Sequence, residues 1–471
     1  VPAHSIIGYA RMVSVLISLT YIKPLYSSID LASRILSMAT SLLKSNGDVD
    51  VFTSTVQIQV AWLLVSGLMP LGPSFVKIHL SHLLLLWKNA LPKNIGKERY
   101  NEKSTLELCY LYHIRHCAIG SLVSFFANNS KLITADVARR GVGFLYNTTI
   151  FMSSINSKQL LDDEPSHLLD RSLTLQDYDY MLKRRILQCY VYLSQYSHTI
   201  DSLPANVLPS ALATFADPEK FTSLNISTAI AANSGSVDSI WQMADNFAFG
   251  LTTKISGFDI TDIQSDRTPN RHNKRNSIME PIKDIQDSHW LSETDLLDTL
   301  EKQINTPVLS ASEQDPDSLL HLQEEGHLYV ASTPSPTAVT NLSMELFSTL
   351  FPYQPAKVQE SLLVQLNKYI LGIATSSNNG RPFAIVVNSV VAIHNLLHFT
   401  FSSGFINREH IRNPKVVAAF IELLKSTVKN SDEYVRNVSA QSLGMICSIA
   451  GSSTLAAEVI KMLIDEIVEN R

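Results

Sequence analysis

The chain has 471 residues, 45% of them hydrophobic and only 17% charged, so much of it must be buried, and a formal charge of −5 argues against a surface that coats nucleic acid. That length suits two or three globular domains or one extended repeat array. Four cysteines, Cys109, Cys117, Cys189 and Cys447, are too few and too scattered for a disulfide framework; a reducing, cytosolic setting fits them best.

The first residue is Val1 rather than Met, and Arg11 and Lys23 bracket a helix instead of preceding a cleavage site. The chain therefore reads as a piece of something longer. From Ser5 to Leu43 apolar residues recur at helical spacing (Ile7, Val13, Leu16, Ile17, then Ile29, Ile35, Leu36, Leu42), broken at Lys23-Pro24 and ended by Asn46-Gly47-Asp48. Thr55 to Leu68 forms the next helix, Met69 to Pro73 turns the chain, and His79 to Leu91 is its apolar partner. A helix through Ile114, Ala118 and Leu122 follows, then a helical pair over Ser130 to Asn156. Ser157 to Asp179, with Asp162-Asp163-Glu164-Pro165, reads as an acidic surface loop. Tyr180 to Thr199 is a helix with Leu182, Ile186, Tyr190, Leu193 and Tyr196 on one side; Leu203 to Ala216 and Val237 to Leu251 are further candidates.

Between about Thr252 and Ala338 the chain turns polar and charged, as in Asp266 to Arg275, Gln314 to Asp317 and Ser332 to Pro336. Such a segment cannot bury enough apolar surface to fold alone and is expected to be a long disordered insertion. One amphipathic island lies inside it, near residues 289–302, where Trp290, Leu291, Leu296, Leu297 and Leu300 share a helical face. Exposed apolar residues in a polar segment point to a partner-binding motif, or to a helix folding back on its own scaffold. Helices then resume over Val358 to Ile373, Ile385 to Phe399, Val416 to Val428 and Ala457 to Arg471.

The helix before that last one carries the repeat. Asp432 is placed as its N-cap, Val435, Val438, Leu443, Ile446 and Ile449 as its core face, and Ser439, Ala440 and Gly444 as small residues on an inner face that a neighbouring helix approaches. The motif Val435, Arg436, Ala440, Leu443, Gly444 resembles the second helix of a HEAT repeat. A related spacing recurs at Val56, Ala61, Leu64 and at Ile114, Ala118, Leu122. The fold class that follows is all-α, an α-solenoid of HEAT or armadillo-like helical hairpins with a long disordered insertion. Its plan is a solenoid over 1–251, the insertion over 252–340, and a solenoid over 341–471 that continues beyond the chain end. Two stretches free of charge, Val51 to Val76 and Pro382 to Asn407, are long enough to span a membrane. Their Gln57, Gln59, Pro70, Asn388 and His394 favour buried solenoid helices instead.

No catalytic signature stands in the chain: no Gly-x-Ser-x-Gly, no phosphate-cradling glycine loop, no dinucleotide fingerprint. Cys109, His113, His116 and Cys117 carry the side-chain chemistry of zinc ligands, but no second short motif completes a site. His79 with His82, and His394 with His398, lack the glutamate of a metalloprotease helix. Neither a metal nor a cofactor is expected. Arg436 is expected to pair with an acid or a carbonyl of the neighbouring helix. Arg271 to Arg275 reads as solvated charge, and Thr268, Thr333 and Ser335 precede prolines as candidate phosphorylation sites.

One stretch is more specific. Val56 to Leu64 (Val-Gln-Ile-Gln-Val-Ala-Trp-Leu-Leu), Leu68 to Leu80, and Leu83 to Pro92 (Leu-Leu-Leu-Leu-Trp-Lys-Asn-Ala-Leu-Pro) resemble the HEAT-repeat-containing protein 5 family, which includes large fungal accessory proteins of the clathrin adaptor of the trans-Golgi network and endosomes. The resemblance implies an internal section of a very long solenoid without enzymatic activity. It implies a scaffold that helps recruit or localise the clathrin adaptor complex and its accessory proteins in retrograde and endocytic traffic. Such a protein would sit in the cytoplasm, peripheral and indirectly bound on trans-Golgi or endosomal membranes or clathrin-coated vesicles, with no nucleic acid; homodimerisation of the full-length protein stays open. Alternative readings are a nuclear transport receptor or a kinase or phosphatase regulatory scaffold, since HEAT arrays serve in both.

Overall fold

A computed structural model describes residues 2–22, 29–45, 49–93, 100, 103–160, 166, 168, 173–216, 335–374, 381–402, 408–430 and 433–469. Every regular element among them is a helix. The described residues divide into two compact units, 1–211 and 212–471, each built by stacking helices.

In the first unit, α1 (Ala3–Ile22), α3 (Val51–Leu68), α5 (Thr105–Asn128) and α8 (Leu175–Ser194) stack one on the next as a single layer. α2 (Ile29–Lys44), α4 (Pro73–Ala90) and α6 (Ala135–Ser153) alternate with them in sequence, followed by the single turns α7 (Ser157–Leu160) and α9 (Ser197–Ile200) and by α10 (Val207–Ala216), within which the division falls. The starts of these helices are written locally. The Asp50 carboxylate accepts from the Phe52 and Thr53 amides (3.0 and 3.1 Å), and Ser104 with Glu107 and Thr174 with Asp177 form reciprocal capping boxes. Gly72, at φ 86°, makes the tight turn from α3 into α4, which Pro73 then opens.

Within the stack the helices run parallel and close. A Cβ on Gly67 would lie 2.7 Å from Cα of Ser14, so α1 and α3 meet nearly backbone to backbone. Serine hydroxyls stitch the seams on either side of α3: Ser14 of α1 donates to the Leu63 carbonyl (2.8 Å) and Ser124 of α5 to the Ser66 carbonyl (3.0 Å). At the other end of α3, Ser54 meets the Tyr110 hydroxyl (2.6 Å) and His113 Nε2 lies 3.2 Å from the Thr55 carbonyl oxygen. α3 passes the length and apolarity test for a membrane span, yet 67% of it is buried against α1, α2 and α5. It is the core helix of its unit, which is why its apolar residues surround the whole circumference.

In the second unit, α11 (Ser335–Leu350), α13 (Arg381–Ser402) and α15 (Glu433–Ala450) stack in one layer and α12 (Ala356–Ala374) packs on α14 (Pro414–Thr427), with α16 (Ser453–Glu469) following α15. Ser348 donates to the Ala392 carbonyl across 44 residues of sequence, and His394 Nδ1 lies 3.3 Å from Ser442 Oγ across 48. These spacings match one HEAT-length repeat; in the first unit the equivalent contacts span 49 to 67 residues because longer connections intervene. Gln359, fully buried at the start of α12, donates its amide to the carbonyls of Phe351, Pro352 and His410. α13 is buried along residues 385–397, the second of the uncharged stretches.

Several boundaries differ from the sequence reading; α3 begins at Val51 rather than Thr55 and α4 at Pro73 rather than His79. α8 begins at Leu175, inside the stretch read as an acidic loop, because the Thr174–Asp177 capping box starts it and Asp179 turns inward. α11 begins at Ser335, so residues 335–340 belong to a helix and not to the insertion. The candidate helix Val237 to Leu251, Asp432, and the insertion up to residue 334 lie outside the described residues.

Candidate functional site

α15 buries Val435, Val438, Leu443, Ile446 and Ile449, as its periodicity requires. Ala440 and Gly444 face the other way: both are exposed, and a Cβ on Gly444 would meet nothing within 4 Å. The reason is angular, since a residue five positions after Val435 sits about 140° around the helix from it, and one nine positions after sits about opposite. The small residues on the inner face are Ser439 and Ser442, both buried. Ser439 Oγ donates to Thr427 Oγ1 (2.8 Å), tying α15 to α14. The Arg436 guanidinium donates to the Asn430 carbonyl (3.0 Å), a carbonyl as expected, but in the turn before its own helix and not on a neighbouring one. The motif as placed here is packing chemistry. Trp290, Leu291, Leu296, Leu297 and Leu300 lie outside the described residues.

The cysteine and histidine group of α5 is divided among structural contacts. Cys109 is buried, and burial pushes its thiol up to about 12. His113 is drawn to Thr55 of α3 and meets Cys117 Sγ at 3.5 Å and the Tyr178 ring edge-on. Among the described residues no three His, Cys, Asp or Glu side chains converge to hold a metal ion. His394 and His398 stack with centroids 6.3 Å apart, and burial, with the neighbouring ring adding to it, lowers His394 to about 4. Burial and the nearby His82 likewise lower His79.

Polar groups between α5 and α8 also serve the stack. The Tyr112 hydroxyl donates to Asp179 Oδ1 (3.1 Å), while Lys183 pairs with Asp179 Oδ2 (2.6 Å). Burial and the Asp179 charge hold the Tyr112 hydroxyl far above its usual range. The Arg115 guanidinium lies 3.7 Å over the Phe151 ring. What these arrangements do is join helices.

The outward sides of α4 and α6 present a different surface. Ile78 is 79% exposed and Leu85 53%, and Tyr146 and Ile150 are exposed on α6 beside Arg139. Helical periodicity does not signal these positions, because it marks the buried face. Their one sequence signal is charge, as Lys77, Lys88 and Lys93 occur in residues 73–93 without a single acid.

Comparison with known proteins finds a likeness along most of the chain. Over 444 residues, 89% of this chain, the sequence is 25% identical to the AP-1 accessory protein LAA1 of Saccharomyces cerevisiae, of which it spans only about a fifth (20%) of the length. No family profile matches the chain, and no solved structure matches it. The resemblance first visible from Val56 to Pro92 thus extends along nearly the whole chain, on a helical stack whose cross-layer contacts recur at repeat length, and along that length the chain resembles fungal HEAT-repeat accessory proteins of clathrin adaptors.

Proposed function

We propose that this chain is a section of a non-catalytic HEAT scaffold that helps recruit or localise a clathrin adaptor complex of the AP-1 kind during protein sorting at the trans-Golgi network and endosomes. The observation that carries this reading is the 25% identity with an AP-1 accessory protein over 89% of the chain. The fold supports it physically, because stacked hairpins make an elongated surface able to hold several partners, and because the polar groups of α5 and α8 are spent on packing. On this reading the protein works in the cytoplasm, on vesicle or organelle membranes reached through its partners, in retrograde and endocytic routes. The island Trp290, Leu291, Leu296, Leu297 and Leu300 is a second contact point for such partners.

Affinity purification of the full-length protein followed by mass spectrometry tests the reading. Adaptor subunits should be recovered, and replacing Trp290, Leu296 and Leu297 with alanine should reduce their yield. Recovery of import receptors or phosphatase subunits without adaptor subunits would overturn it.

A further inference from the structure

The exposed face of α4 and α6 combines two properties rare together in this chain. Residues 73–93 and 129–153 hold Lys77, Lys88, Lys93, Lys131, Arg139 and Arg140 against one acid, Asp136, although the whole chain has a formal charge of −5. Asp136 is already paired with Arg140 (2.9 Å). Each of the two helices also carries large apolar side chains that the fold leaves in water, Ile78 and Leu85 on α4 and Tyr146 on α6.

Their placement is ordered. Ile78 and Leu85 are seven residues apart, so they form one line of about 10 Å along α4, diametrically away from the buried Val76, Leu83 and Trp87. Lys77 and Lys88 flank that line on one side. On α6, Arg139 and Tyr146 repeat the spacing of seven and again point away from the buried Phe144 and Thr148. The Asn147 amide donates to the Leu91 carbonyl (3.4 Å), which brings the C-terminal end of α4 beside the middle of α6.

We infer that the outward face of α4 and α6 is a docking surface for an acidic amphipathic helix of a protein partner. Apolar positions seven residues apart match the i, i+7 anchors of a docking helix, and the flanking lysines and Arg139 complement its acids. An anionic bilayer fits less well. Insertion calls for a continuous apolar face, whereas Ser81 and His82 interrupt the line between Ile78 and Leu85. This goes beyond the adaptor reading and stands apart from it: peptide binding by a protein that recovers no adaptor subunits would sink that reading and leave this one.

The test is fluorescence anisotropy on the full chain. The probe is a labelled 18-residue peptide carrying leucines at positions i, i+3, i+4 and i+7 and glutamates elsewhere. A scrambled peptide of equal composition and phosphatidylcholine vesicles doped with phosphatidylserine serve as alternatives. The amphipathic peptide should bind, and K77E/K88E/R139E should weaken it about tenfold or more. The separate variant I78S/L85S should weaken it too while leaving helical content unchanged. Equal binding of the scrambled peptide, unchanged affinity in both variants, or binding to the vesicles but not to the peptide would each overturn the inference.

Discussion

Glu345 sits on α11 with its carboxyl buried and Oε2 without a hydrogen-bond partner. Desolvation alone raises its pKa from 4.5 to about 8, so the folded protein keeps this acid protonated at neutral pH. The stability linked to it is therefore fully present below pH 4.5 and is lost as pH rises toward 8, by up to about 1.4 kcal/mol per pH unit. Glu345→Gln should abolish that slope and leave the variant more stable than the parent at pH 8, as read from denaturant midpoints across this window. An identical pH dependence in parent and variant would contradict it. His394 acts in the opposite sense, because its pKa is lowered to about 4: the stability tied to the neutral ring is present above about 6.5 and lost as pH falls through 4.

Among the elements, α1 and α3 approach closely at Gly67. Adding a methyl at Gly67 would press on the backbone of Ser14, which cannot swing aside as a side-chain tip could. Gly67→Ala should cost about 1–3 kcal/mol in a urea unfolding measurement, while Gly444→Ala, on the open side of α15, should cost nothing or stabilise. Much of this level was legible in the sequence, for apolar periodicity located the core faces of α8 and α15 and the Thr174-x-x-Asp177 box was there to be read. What hid α8's first turn was the acidic run Asp162-Asp163-Glu164-Pro165, which reads as a surface loop extending to Asp179, whereas the burial of Asp179 depends on Tyr112, 67 residues away. Ala440 and Gly444 were misplaced for another reason, since small size says nothing about which way a helical position points. The true inner residues, Ser439 and Ser442, look no different in sequence from solvent-facing serines.

For the molecule as a whole, repeat stacking explains why distant sequence segments obey one pattern without sharing one strict motif. Each helix in a layer needs only a complementary face on its two neighbours, so the residues at the seam vary while the spacing between them persists. The α4–α6 surface was the least legible feature, because exposed apolar residues become visible only once the buried ones are subtracted. The composition of residues 252–334 makes that stretch the first place for a protease to act. Limited proteolysis should cut there and leave helical fragments on either side; uniform resistance along the chain would contradict the domain plan.

The hydrogen bonds along α3 have a mechanical consequence. α5 is fastened to it at two places, near Ser54 and Thr55 and again at Ser66, so this pair can neither slide nor rotate and behaves as a rigid bar. α1 is held to α3 by Ile7 and Ala10 packed with Leu63 and by the Ser14 hydroxyl on the Leu63 carbonyl, beside the point where Gly67 allows the closest approach. Axial slip of α1 or α5 along α3 would break these contacts together, so a pull along the helices meets the resistance of the whole layer at once.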